Sequence, residues 1–87
     1  MIKKSFLIKS TQGLDVKTIT KLVNIASSFS SNIDFSVNNN IADAKSIINL
    51  MALNVQHNEE LNIVVDGKDE NNAIDAIIQV LKECQTI

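Results

Sequence analysis

The chain has no proline, tryptophan or tyrosine, a single cysteine and a single histidine. Without proline or a low-complexity tract, it carries no sign of a linker or a disordered segment. The lone Cys84 has no partner for an internal disulfide, so a reducing, cytoplasmic setting is the default expectation. No run approaches the roughly 18–20 apolar residues of a membrane span. Met1-Ile2-Lys3-Lys4 leads into a short mixed stretch rather than the apolar core of a signal peptide. Only three residues are aromatic and the net charge is −2, with acids and bases interspersed. That composition does not fit a basic, aromatic-laced nucleic-acid surface, so no direct nucleic-acid contact is expected, although a DNA-binding partner is compatible.

What is present is ordinary for a small folded protein. Hydrophobic residues make up 45% of 87 positions, enough for one domain, residues 1–87, around one modest core. Ile2, Phe6 and Ile8 lie on one side of a first strand, with Lys4 breaking the pattern. From Val16 the period changes: Val16, Ile19, Leu22, Val23 and Ala26 share one face of a helix. Ile33, Phe35 and Val37 alternate with Asp34 and Ser36, as a half-buried strand does. Asn38-Asn39-Asn40 then supplies residues that tolerate positive φ, predicting a hairpin and a short return strand over 41–44.

Ser46 precedes the apolar run 47–53, a short helix with Asn54 as its left-handed cap. Leu61, Ile63 and Val65 alternate in a fourth strand ending at Asp66-Gly67. Asp69-Glu70 opens a last helix with Ile74, Ile77, Ile78 and Leu81 on its face and Lys82 at its close. The order β-α-β-β-α-β-α implies an α+β two-layer sandwich, helices on one face of a small antiparallel sheet.

That order and three local motifs resemble the HPr family, the small phosphocarriers of the bacterial sugar phosphotransferase system. A-D-A-K-S-I-I-N-L, residues 42–50, resembles the family's regulatory serine segment, with the serine at Ser46. D-G-K-D-E-N-N-A-I, residues 66–74, is similar to its glycine turn into the last helix. G-L-D-V-K-T, residues 13–18, stands against a family pattern of G-L-H-x-R-P. Gly13 and Leu14 fit; Asp15, Lys17 and Thr18 replace the histidine, arginine and proline. The resemblance implies an open-faced sandwich of four strands and three helices. It also implies partners: enzyme I and sugar transporters through the histidine, an HPr kinase/phosphorylase through the serine. A subgroup, Crh, lacks the histidine, keeps the serine and works with catabolite control protein A; this chain shares that combination.

Position 15 has no imidazole, so histidine phosphotransfer is closed to the chain. Two chemical roles remain for Asp15. Aspartate is among the best N-cap residues, and aspartyl phosphates are genuine intermediates. The cap reading leads, a residual binding role with Lys17 follows, and phosphoacceptor comes last. Lysine, a point charge, replaces the arginine fork that grips phosphate oxygens. Along the first helix only Lys21 adds to a thin basic rim, so weak or no binding to enzyme I is expected.

Ser46 also reads as an N-cap, and the resemblance adds phosphorylation. A phosphate there brings about −1.5 to −2 charge beside an apolar patch of Ile47 and Met51. A catabolite-control transcription regulator would read that pair, methionine suiting adaptable contacts. The competing expectation is that Ile47, Ile48, Leu50 and Leu53 pack onto the sheet. His57, in the polar loop Q-H-N-E-E, has no partner at ligand spacing. Cys84 reads as a small semi-buried hydrophobe. Asp66, Asp69 and Glu70 read as turn and helix-start residues rather than a cation loop. No cofactor, metal or enzymatic activity is expected.

Overall fold

Alternating Leu61, Ile63 and Val65 build the strand at the heart of the sheet, each of the three fully buried. The computed structural model describes residues 1–87. Its strands are β1 (Ile2–Leu7), β2 (Asn32–Val37), β3 (Asn40–Asp43) and β4 (Glu60–Asp66). Its helices are α1 (Val16–Ser27), α2 (Ile47–Leu53) and α3 (Glu70–Glu83), giving the order β-α-β-β-α-β-α. The sheet runs β1-β4-β2-β3, every neighbour antiparallel. One row across it reads Lys4, Ile63, Phe35, Ala42. Lys4 interrupts the apolar pattern because β1 is an edge strand, where a long side chain can carry its charge out to water.

The β2–β3 hairpin turns through Asn38 and Asn39, with φ of 51° and 70°. Two successive positive φ values give the twist a tight hairpin needs, and asparagine supports them. Pairing resumes at once with Val37 opposite Asn40, so the return strand is 40–43 rather than the expected 41–44. Ala44 has left the ladder, although its N–H still donates to the Ile33 carbonyl at 2.9 Å.

In α1 the buried residues are Thr18, Ile19, Leu22, Val23 and Ala26. Val16 was expected on that buried stripe but is 59% exposed; it stands in the first turn, one turn ahead of Ile19, where nothing covers it. In α3, Ala73, Ile74, Ile77, Val80 and Leu81 are buried while Ile78 is half-buried. Gln85, with φ of 57°, then reverses the chain. The Thr86 N–H donates to the Leu81 carbonyl at 2.9 Å, as a left-handed helix terminus allows. The Thr86 carbonyl accepts from the N–H groups of Lys9 at 2.8 Å and Ser10 at 3.3 Å. The end of α3 thereby pins the loop that leads into α1.

Asp69 does more than start a helix. Its side chain makes no bond within α3. It reaches instead to the α1–β2 turn, accepting from the Ser30 N–H (2.9 Å) and hydroxyl (3.3 Å), the Ser31 N–H (3.0 Å) and the Ser31 hydroxyl. The Ser31 hydroxyl and Ser30 N–H lead in holding its carboxyl down from 3.8 to about 2. Because the folded-state value is depressed, the stabilisation is complete above the unfolded value near 3.8 and disappears as pH falls through about 2. Asp69→Asn should therefore lower the urea midpoint at neutral pH, and the gap from wild type should close progressively between pH 4 and pH 2.

Candidate functional site

The loop before α1 is built against the segment that follows α2. Gly13 has φ of +66°, and its N–H donates to the Ser10 carbonyl at 3.0 Å. The next N–H, of Leu14, donates to the Val55 carbonyl at 3.1 Å, and the Leu14 side chain is buried. Leu14 inside and Asp15 outside set where α1 begins. Asp15 adopts extended backbone, its Oδ1 accepting from the Thr18 N–H at 2.9 Å while its carbonyl accepts from Ile19. Hydrogen bonding by Thr18, first through its backbone N–H, holds this carboxyl below the usual range, with Lys17 adding a smaller attraction. The expected capping geometry is present. Asp15→Ala should cost about 0.5–2 kcal/mol in chemical denaturation, and Asp15→Asn, which caps equally well, much less.

Around Asp15 lies a shallow concavity of about 270 Å³. The α1 side contributes Asp15, Lys17, Thr18 and Lys21; Glu83, Cys84 and Gln85 come from the end of α3. Two lysines face two carboxylates, so the rim is close to charge-balanced rather than strongly basic. The α3 contribution was not foreseen. Cys84 is half-buried as expected of a small hydrophobe, but its place beside Asp15 depends on how α3 packs along α1.

Ser46 is likewise an N-cap in geometry. Its backbone is extended and its carbonyl accepts from the Leu50 N–H at 3.1 Å. Its Oγ accepts from the Asn49 N–H at 3.2 Å and from the Asn49 side-chain amide at 2.7 Å. The turn before it is fixed by the Asp43 side chain, which accepts from the Lys45 N–H at 2.9 Å, and by Lys45 itself, whose Nζ donates to the Phe29 carbonyl at 2.8 Å. The helix stops where the sequence implies, at Asn54 with φ of 51° and ψ of 56°.

Seven residues give α2 one buried anchor. Leu50 is fully buried and Leu53 partly so, whereas Ile47, Ile48 and Met51 are 43%, 79% and 48% exposed. Ile47 and Met51 are exposed as expected of the apolar patch. Ile48, expected only among the residues packing onto the sheet, instead faces solvent beside them, because Leu50 is the face that α2 buries. The two helices α1 and α2 pack against each other, but no hydrogen bond or ion pair joins Asp15 or Lys17 to the Ser46 segment. His57 lies elsewhere, its exposed ring 3.1 Å through Nδ1 from the Ser10 carbonyl, a tether for the loop before α1. No three of the His, Cys, Asp and Glu side chains are gathered as metal ligands, and no helix is long and apolar enough to cross a membrane.

Comparison with known proteins bears on the family and the fold. Residues 2–83 match the family described as the PTS HPr component phosphorylation site. The histidine-containing phosphocarrier protein of a Mycoplasma superposes with a TM-score of 0.97 at 36% identity, over 99% of this chain and 98% of that one. An HPr dimer from Thermoanaerobacter tengcongensis matches at 32% identity and a TM-score of 0.74, over 100% and 99% of the two chains. The Bacillus subtilis catabolite repression protein Crh, solved as a swapped dimer, matches at 25% identity and 0.73, over 95% of each chain. With nearly its whole length matched by the family and its helix–sheet order reproduced throughout, the chain belongs to the HPr family.

Proposed function

We propose that the chain is a regulatory HPr-like protein of the phosphotransferase system or carbon catabolite control, unable to transfer phosphate through histidine and governed by phosphorylation of Ser46. The observation that carries this reading is the contrast between the two N-caps. Both side chains cap a helix, Asp15 through Thr18 and Ser46 through Asn49, but Asp15 has no imidazole to offer, whereas Ser46 carries a hydroxyl beside the exposed Ile47, Ile48 and Met51. Phosphate on Ser46 would set a double negative charge next to that apolar patch, a combination a protein partner can read. The proposed partners are an HPr kinase/phosphorylase and a catabolite-control transcription regulator. Binding to enzyme I is weak or absent, because the rim at Asp15 is charge-balanced.

A second reading is supported by Lys17 and Lys21 in the concavity at Asp15, two cations near a carboxylate that could accept a phosphoryl group. Because Oδ1 holds the Thr18 N–H, the acceptor atom in that reading is Oδ2. Two labelling reactions separate the readings. ATP with an HPr kinase/phosphorylase should yield one alkali-stable phosphoserine; phosphoenolpyruvate with enzyme I should yield no label. A hydroxylamine-labile acyl phosphate from the second reaction would establish the Asp15 route. Label from neither would leave an interaction module without phosphate control.

A further inference from the structure

Asn49 makes two hydrogen bonds to one atom, and that atom is the proposed phosphoacceptor. A serine hydroxyl has one O–H to donate and two lone pairs with which to accept. In this fold Ser46 Oγ accepts from the Asn49 N–H at 3.2 Å and from Asn49 Nδ2 at 2.7 Å. Both lone pairs are therefore engaged by a single residue. The first bond belongs to the helix cap and comes with α2 itself. The second is not needed for the cap, is the shorter, and comes from an exposed side chain free to rotate away.

We propose that Asn49 is a gate on Ser46, a positioning residue that restrains its phosphorylation by occupying the lone pair the nucleophile needs. The inference rests on the reading of Ser46 as phosphoacceptor. In the transfer, a lone pair of Ser46 Oγ attacks the γ-phosphorus of a nucleoside triphosphate held by the kinase. The new Oγ–P bond forms as the bond from that phosphorus to the β–γ bridging oxygen breaks. The diphosphate leaves, and the hydroxyl proton passes to a base of the kinase. With the Asn49 amide in place, Oγ must first shed that hydrogen bond; without it, one lone pair is open from the start. Losing one hydrogen bond of ordinary net strength corresponds to a rate gain of about two- to tenfold.

The gate acts on the chemical step and not on docking. Ile47, Ile48 and Met51, the exposed apolar groups of α2, are untouched by changes at position 49. Asn49 is itself exposed, in the first turn of the helix, where alanine and leucine are better helix formers than asparagine.

The test is steady-state phosphorylation of the full chain by an HPr kinase/phosphorylase with ATP, comparing wild type, Asn49→Ala and Asn49→Leu. Leucine matches asparagine in size but cannot donate. Both variants should show kcat raised by about two- to tenfold with KM unchanged and no loss of thermal midpoint. Asn49→Gln, which restores an amide, should fall back toward the wild-type rate. Wild type that is labelled, with variants at or below its rate, overturns the gate and leaves Ser46 as acceptor. A gain confined to KM also overturns it, since docking would then be what changed. If neither wild type nor the variants accept phosphate, the Ser46 reading and the gate fail together. Label in the variants alone would mean the gate is closed in the native chain.

Discussion

Ser46→Ala should abolish phosphoserine formation by an HPr kinase/phosphorylase and should also destabilise α2. Both effects follow from the same atom. Ser46 Oγ is the proposed acceptor, and it is also the group that satisfies the Asn49 N–H. Loss of an N-cap side chain costs about 0.5–2 kcal/mol. A seven-residue helix is far too short to persist on its own propensity, so α2 depends on its cap and on the buried Leu50. Loss of label in Ser46→Ala alone could therefore come from a frayed substrate. Ser46→Asp separates the two effects, because aspartate caps as well as serine but has no hydroxyl. The Asp variant should keep the wild-type circular dichroism and melting midpoint yet take no phosphate. If it still takes a stable phosphate, the acceptor is another hydroxyl, and the regulatory reading of Ser46 is lost.

Much of this fold was legible because its signals are local. Asp15 and Ser46 before apolar periods, Asn38-Asn39 between alternating runs, and Asn54 after Leu53 each specify a backbone conformation within four residues of themselves. All four appear as the sequence implies. What was missed has a common cause in the third dimension. Asp69 does open α3, as the sequence implies, but its second role is hidden because its partners, Ser30 and Ser31, are 39 and 38 residues away in sequence. Val16 fits the buried stripe of α1 by period, yet period cannot say where along a helix its cover ends. In Ile47-Ile48-Asn49-Leu50, a short apolar run offers several faces, and only the packed structure shows that Leu50 is the anchor while Ile48 points to water.

The two caps also show why the site at position 15 was only half readable. That Asp15 caps α1 follows from its neighbours. That Glu83, Cys84 and Gln85 complete its surroundings follows from α3 packing along α1, and from the tail pinning Lys9 and Ser10 through the Thr86 carbonyl. The loop holding Asp15 is thus braced from two sides, by the tail after α3 and by Val55 after α2.

Gly13→Ala should break that brace. With φ of +66°, any L-residue at position 13 bears a backbone penalty of about 1–2 kcal/mol before any contact is considered. The contact is worse. A Cβ there would stand 2.2 Å from the Val55 carbonyl oxygen and 3.0 Å from the Gln56 Cα. Both neighbours are main chain, so no side chain can swing aside, and the loop and the 55–56 segment must separate. That same Val55 oxygen accepts the Leu14 N–H, so separation breaks the bond and lifts buried Leu14 from the core. The expected result is a loss well above the backbone penalty alone, read as a shift in urea midpoint. Faster amide exchange should follow at Leu14 and, through displacement of the cap, at Thr18. Gly67→Ala serves as the comparison: its Cβ would strike Ser31, 2.5 Å from Oγ and 2.7 Å from Cα, at the far turn held by Asp69. That variant should destabilise the fold while leaving exchange at Leu14 and Thr18 in step with global unfolding. If Gly13→Ala behaves the same way, with no selective opening at Leu14, then Val55 does not hold the loop that places Asp15.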